Sequence, residues 1–85
     1  MAWICFEERF LASPLPSDWK PVREGKLICI AVDPGVSVAG MIQVCGLKFI
    51  QPMVALINEK TADLDQTLEE GDRVRLLPQI AGGTF

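Results

Sequence analysis

Cys5, Cys29 and Cys45 are the strongest potential nucleophiles in this sequence, and their separations of 24 and 16 residues limit how they could be used. No pair forms Cys-x-x-Cys, and none has the spacing of a metal-ligand set. The chain contains no histidine and no tyrosine. A Ser–His or Cys–His nucleophilic pair, an HExxH zinc site and an imidazole acid or base are therefore excluded within it. Each cysteine lies among apolar neighbours with no adjacent basic residue to favour its thiolate, so all three are expected as reduced core thiols of a cytoplasmic protein. A self-contained hydrolase or metalloenzyme does not fit this inventory, and no metal ligand is expected. Gly82-Gly83, ahead of Thr84-Phe85, is a second kind of feature. Its chemistry is that of a backbone free of Cβ atoms and open to any φ, and taken alone the pair reads as a flexible terminus.

Composition narrows the partners. Eighty-five residues, 49% of them hydrophobic and 22% charged, make one small globular domain that buries roughly 60% of its unfolded surface. Eleven acids against eight bases give a net charge of −3, which offers no electrostatic footprint for nucleic acid or an anionic membrane. The longest uncharged stretch, Pro34 to Leu47, is too short to cross a bilayer. Met1 to Glu8 is acidic where a signal peptide is basic. A soluble, cytoplasmic protein is expected.

The elements that would position these groups can be read from periodicity. Trp3 to Ala12 is expected as a first strand, followed by a proline- and serine-marked loop over Ser13 to Asp18 that continues through Trp19 to Gly25. Leu27 to Val32 is an unbroken apolar run of buried-strand length, stopped by Asp33-Pro34-Gly35. Val38, Met41, Ile42 and Cys45 then fall at i, i+3, i+4 and i+7 on one helical face, with Ser37 as N-cap and Gly46 as the left-handed stop. Val36, Ala39, Gly40, Val44 and Leu47 leave the other faces almost as apolar. Such a helix is expected to sit deep against a curved sheet, or else to be covered by a partner. Met53 to Ile57 is a further strand, Asn58-Glu59-Lys60 a turn, Asp63 to Leu68 a short strand or single turn, and Glu70-Gly71-Asp72 a tight turn. Arg73-Val74-Arg75-Leu76 alternates, which places Val74 and Leu76 in the core and both arginines in water, and Leu77-Pro78 ends that strand. The layout is α+β, one main helix packed on a mixed sheet.

The last two thirds of the chain resemble a known family. Asp33-Pro34-Gly35-Val36-Ser37-Val38, Ala55-Leu56-Ile57-Asn58-Glu59-Lys60, Leu68-Glu69-Glu70-Gly71-Asp72-Arg73-Val74 and Leu77-Pro78-Gln79-Ile80-Ala81-Gly82-Gly83 look like the ubiquitin-like sulfur carriers. That family includes the small subunit of molybdopterin synthase and the thiamine sulfur carrier. The resemblance is good over residues 27–83 and weak before them. It implies a ubiquitin-like β-grasp domain over residues 1–78, with a four- to five-stranded sheet, and a flexible tail over residues 79–85.

The same resemblance supplies a function. It implies that the carboxylate of Gly83 is adenylated by a ubiquitin-activating-like partner enzyme using ATP, then exchanged for a thiocarboxylate that donates sulfur to an accepting synthase. Such a carrier is a co-substrate and not an enzyme, and binds no cofactor itself. Pro78, Ile80, Ala81 and Gly82, together with the sheet face, are implied as the surface the adenylating enzyme grips. The mature carriers of that family end at the second glycine, whereas Thr84-Phe85 follow here, as in members that carry short extensions. The chain thus resembles pro-forms trimmed by a JAMM-type zinc metallopeptidase. The sulfur acceptor stays open among molybdopterin, thiamine thiazole and a sulfur amino acid. Conjugation of Gly83 to target lysines, as a protein modifier, uses the same tail, and recognition of Thr84-Phe85 by a non-covalent partner is a third reading.

Overall fold

The computed structural model of the chain describes residues 1–15 and 19–79. Its elements in order are β1 (Ala2–Glu7), a single 3-10 turn (Glu8–Phe10), β2 (Val22–Glu24), β3 (Leu27–Val32), α1 (Val38–Cys45), β4 (Met53–Ile57), β5 (Lys60–Ala62) and β6 (Arg73–Pro78). The strands form one mixed sheet in the order β2-β3-β1-β6-β4-β5. β1 and β6 run parallel at its centre, and the other neighbours are antiparallel. One helix on such a sheet is compatible with the expected β-grasp arrangement, but with six strands and not four to five. The two additional strands are β2 and β5, each three residues long and carrying no apolar alternation. They exist because β3 and β4 offer them open edges to pair with.

Alternation sorts each long strand into two faces. Ala2, Ile4 and Phe6 of β1, Ile28 and Val32 of β3, Met53, Ala55 and Ile57 of β4, and Val74 and Leu76 of β6 join Val38 and Met41 of α1 in one buried cluster. The first strand is shorter than expected. After Glu7 the chain makes its 3-10 turn, and Ala12 then donates its amide to the Lys48 carbonyl at 2.7 Å while Ile50 donates to the Phe10 carbonyl at 2.9 Å. This crossing brings Phe49 edge-on to Phe6, with ring centroids 5.3 Å apart.

The helix has the expected ends. Ser37 is extended and its Oγ accepts the Gly40 amide at 3.0 Å, and Gly46 closes the helix at φ 71°. The apolar belt is not wrapped by the sheet, however. Val38 and Met41 are buried and Ile42 and Cys45 half-buried, whereas Val44 is 78% exposed. The sheet reaches only one stripe of the eight-residue helix. Ser37→Ala should remove the cap and lower unfolding free energy by about 1 kcal/mol in urea titration; no change would mean that the first turn is held by its tertiary contacts alone.

The cysteines depart from expectation. Cys5 and Cys29 face each other across β1 and β3, with Cα atoms 4.1 Å apart, and are joined as a disulfide. Both point away from α1, outside the buried cluster. Among the described residues only Cys45 is a free thiol. The linear spacing of 24 residues could not reveal a pairing that depends on strand register.

Candidate functional site

The tail is rooted in the middle of the sheet. β6 is held by β1 on one side and β4 on the other, and its last register pair is Met53 with Pro78. One residue further, Gln79 donates its amide to the Pro52 carbonyl at 2.9 Å, and Gln51 Nε2 reaches the Gln79 carbonyl at 3.4 Å. Of the residues expected to bind or react, Pro78 is therefore the one the structure places. It is half-buried, on the α1 side of the sheet opposite Met53. Ile80, Ala81, Gly82, Gly83, Thr84 and Phe85 lie outside the described residues.

The sheet face opposite α1 carries residues that sequence reasoning did not single out. Leu77 pairs with Val54 and Arg75 with Leu56, so Val54, Leu56 and Leu77 form a half-buried apolar patch beside the root of the tail. The unbroken apolar run Met53 to Ile57 was the signal that could have found it, because in a strand the residues between core positions face the other way. Arg75 Nη1 approaches Glu59 at 3.9 Å, while Arg75 Nε is buried with no partner. Arg73 is not simply solvated either, since it pairs with Glu24 of β2. Cys45 is no candidate nucleophile, because burial pushes its thiol up and keeps it protonated.

The motifs that carried the resemblance each have a structural task. Leu68 is fully buried. Gly71 takes φ 85°, in the left-handed region where a side chain is strained. Asp72 Oδ2 accepts the Glu69 amide at 2.8 Å, and its Oδ1 accepts Asn58 Nδ2 at 3.0 Å. Asn58 Oδ1 in turn accepts the Arg73 amide at 3.0 Å, so Asn58 and Asp72 together align the start of β6. Leu68 also exchanges two 2.8 Å backbone bonds with the strand-to-helix junction, donating to Val36 and accepting from Gly35. Leu-x-x-Gly-Asp-x-Val and Asp-Pro-Gly-Val-Ser-Val thus make one assembly that fixes the start of β6.

The model of the ThiS family matches residues 25–83. This chain belongs to the ThiS family. The match begins at the β2–β3 turn and runs through Gly83, so it takes in the junction, the turn motif and the tail but not β1. No curated protein matches the chain, and no solved structure does. ThiS-family membership supports a sulfur-carrier role in general, and it implies dealings with an adenylating enzyme and a sulfur-accepting enzyme. Among the described residues, no helix is long and apolar enough to cross a membrane.

Proposed function

We propose that this ThiS-family chain carries sulfur as a thiocarboxylate on Gly83. The observation that carries this reading is the family match running through Gly82-Gly83, on a chain whose last strand is braced for delivering a tail. The chemistry takes place in partners. A peptidase of the JAMM type cuts Gly83-Thr84 and frees the carboxylate. That carboxylate attacks the α-phosphorus of ATP in the adenylating enzyme, releasing pyrophosphate and leaving an acyl-adenylate. A sulfide equivalent then displaces AMP, and the thiocarboxylate passes its sulfur to the accepting synthase.

Geometry sets the reach. With Gln79 held against Pro52, the four residues from Ile80 to Gly83 span at most about 14 Å when extended. Gly83 must therefore meet its activating site within that distance of the β6 end, and the Val54–Leu56–Leu77 patch is the surface that docks around the opening. Two residues without Cβ let the last part of the chain thread a narrow passage.

Incubation of the trimmed chain with adenylating enzyme, ATP and a sulfur donor should raise its intact mass by about 16 Da, oxygen replaced by sulfur. An unchanged mass alongside higher-mass conjugates that survive reduction would replace the carrier reading with that of a protein modifier.

A further inference from the structure

Two sulfurs and an ion pair meet on the sheet face opposite α1. Cys5 and Cys29 are joined across β1 and β3, and both are almost fully buried. Their cover on the Cys29 side is charged. Arg73 Nη2 lies 3.7 Å from Cys29 Sγ, and Glu24 Oε2 lies 3.3 Å from the same sulfur, where a released thiol would donate to it. Arg73 and Glu24 also pair with each other, and each side chain is about half exposed. They come from β6 and β2, 49 residues apart, and are brought to one sulfur by the strand order. A disulfide that serves only as a staple needs neither a cation nor a proton acceptor beside it.

We infer that Cys5–Cys29 is a redox-active disulfide that exchanges with thiols of a partner or of the glutathione class, with Cys29 as the sulfur that leaves first. An incoming thiolate attacks Cys5 Sγ and forms a mixed disulfide. The Cys5–Cys29 bond breaks, and its electron pair departs on Cys29, beside the Arg73 guanidinium. A second thiolate attacks the partner sulfur of the mixed disulfide, releasing the oxidised partner and the Cys5 thiolate. Two protons from the two attacking thiols end on Cys5 and Cys29, the latter shared with Glu24. Two electrons move from the partner to the protein, and an oxidised partner reverses every step. Cys5 is itself fully buried, so attack on it requires this face to open locally, beginning where the Glu24–Arg73 cover lifts from Cys29. Glu24 sits on a three-residue edge strand that is exposed throughout and paired with β3 alone, an element of low local stability.

The same atoms suggest a competing use. Cys5 Sγ, Cys29 Sγ and a Glu24 oxygen lie within 4.8 Å of one another, a three-donor set for a metal ion in the reduced chain. The guanidinium 3.7 Å from Cys29 Sγ opposes a divalent cation there, which favours thiol exchange.

The test equilibrates the full chain in buffers of varied reduced-to-oxidised glutathione ratio, quenches with acid, alkylates in denaturant and reads intact mass. The oxidised chain takes one label, on Cys45, and the reduced chain three. A single transition between these two states, within the range of the buffers, is expected. One label at every ratio means a permanent staple, three at every ratio means no disulfide, and either overturns the proposal. Arg73→Gln should slow reduction by excess thiol roughly 3- to 10-fold, with Arg73→Lys restoring most of the rate and melting curves confirming that both variants fold. An unchanged rate in folded Arg73→Gln would overturn the assignment of Cys29 as leaving group. Tight one-to-one zinc binding by the reduced chain, lost in Glu24→Gln, would replace redox exchange with a metal site. These readouts count thiols and not transferred sulfur, so their failure leaves the carrier reading intact, and the converse also holds.

Discussion

In ATP–pyrophosphate exchange with the adenylating enzyme, a chain ending at Gly83 should turn over at full rate while residues 1–85 stay at background. Adenylation needs a free carboxylate, and in the encoded sequence the Gly83 carbonyl is tied up in an amide to Thr84. An amide has no oxyanion to attack the α-phosphorus, and it does not exchange spontaneously with sulfide. In the proposed narrow passage, built for residues without Cβ, the phenyl ring of Phe85 should not pass. A third form, residues 1–83 with Gly83→Ala, separates the need for a free carboxylate from the need for a bare backbone. It should bind but exchange poorly, because its Cβ obstructs the passage. Equal exchange by 1–85 and 1–83 would show that Thr84-Phe85 is no mask, and trimming would drop out of the proposed cycle. In the proposed cycle the cutting enzyme is a separate protein, since this chain has no histidine with which to build a Ser–His or Cys–His site.

Phe6→Ala should cost about 3–5 kcal/mol of unfolding free energy. Phe6 is fully buried and its ring meets Phe49 edge-on at 5.3 Å. A domain of this size has only about 4–13 kcal/mol in total, at roughly 0.05–0.15 kcal/mol per residue. The variant should therefore melt at least roughly 10 °C lower, or fail to fold at 37 °C. Val44→Ala, at a position 78% exposed, is the control and should stay within about 0.5 kcal/mol of the parent. Chemical denaturation of both, read by tryptophan fluorescence, gives the comparison. The result matters because β1 lies before the part of the chain that matches the ThiS family. A cost below about 1 kcal/mol for Phe6→Ala would mean that the first strand is an accessory and that residues 25–83 fold around a smaller core.

Most of the elements were legible in the residues themselves. The unbroken run Leu27 to Val32 is β3 to the residue, and Met53 to Ile57 is β4. Ser37 and Gly46 mark the helix ends through local chemistry, an oxygen that accepts an orphan amide and a residue tolerant of positive φ. Val74 and Leu76 are buried as their alternation requires. The turn motif was legible as a family resemblance before its mechanics were visible: Gly71 for its φ, Asp72 for its two acceptor oxygens, Leu68 for the core. The helix caps and the Glu69–Asp72 turn bond join residues within about four positions of one another, so sequence order preserves them, whereas the Asn58–Asp72 bond spans 14 positions and needed the fold.

What the sequence alone determined is thus the set of core strands, the capped helix, the turn chemistry and the Gly-Gly tail of a ThiS-family carrier. Tertiary structure decided the rest. β2 (Val-Arg-Glu) and β5 (Lys-Thr-Ala) are too short to show a period of their own, and become strands only where β3 and β4 present unpaired amides and carbonyls. The apolar patch of Val54, Leu56 and Leu77 exists because β4 and β6 pair in one register; a slip by one residue would turn it into the core. Cys5 meets Cys29, and Arg73 meets Glu24, only because β6 and β3 flank β1 and β2 closes the edge. Those contacts join residues 24 and 49 positions apart, and no local propensity encodes them: strand order and register do, and both are settled by burying one face of the whole sheet at once.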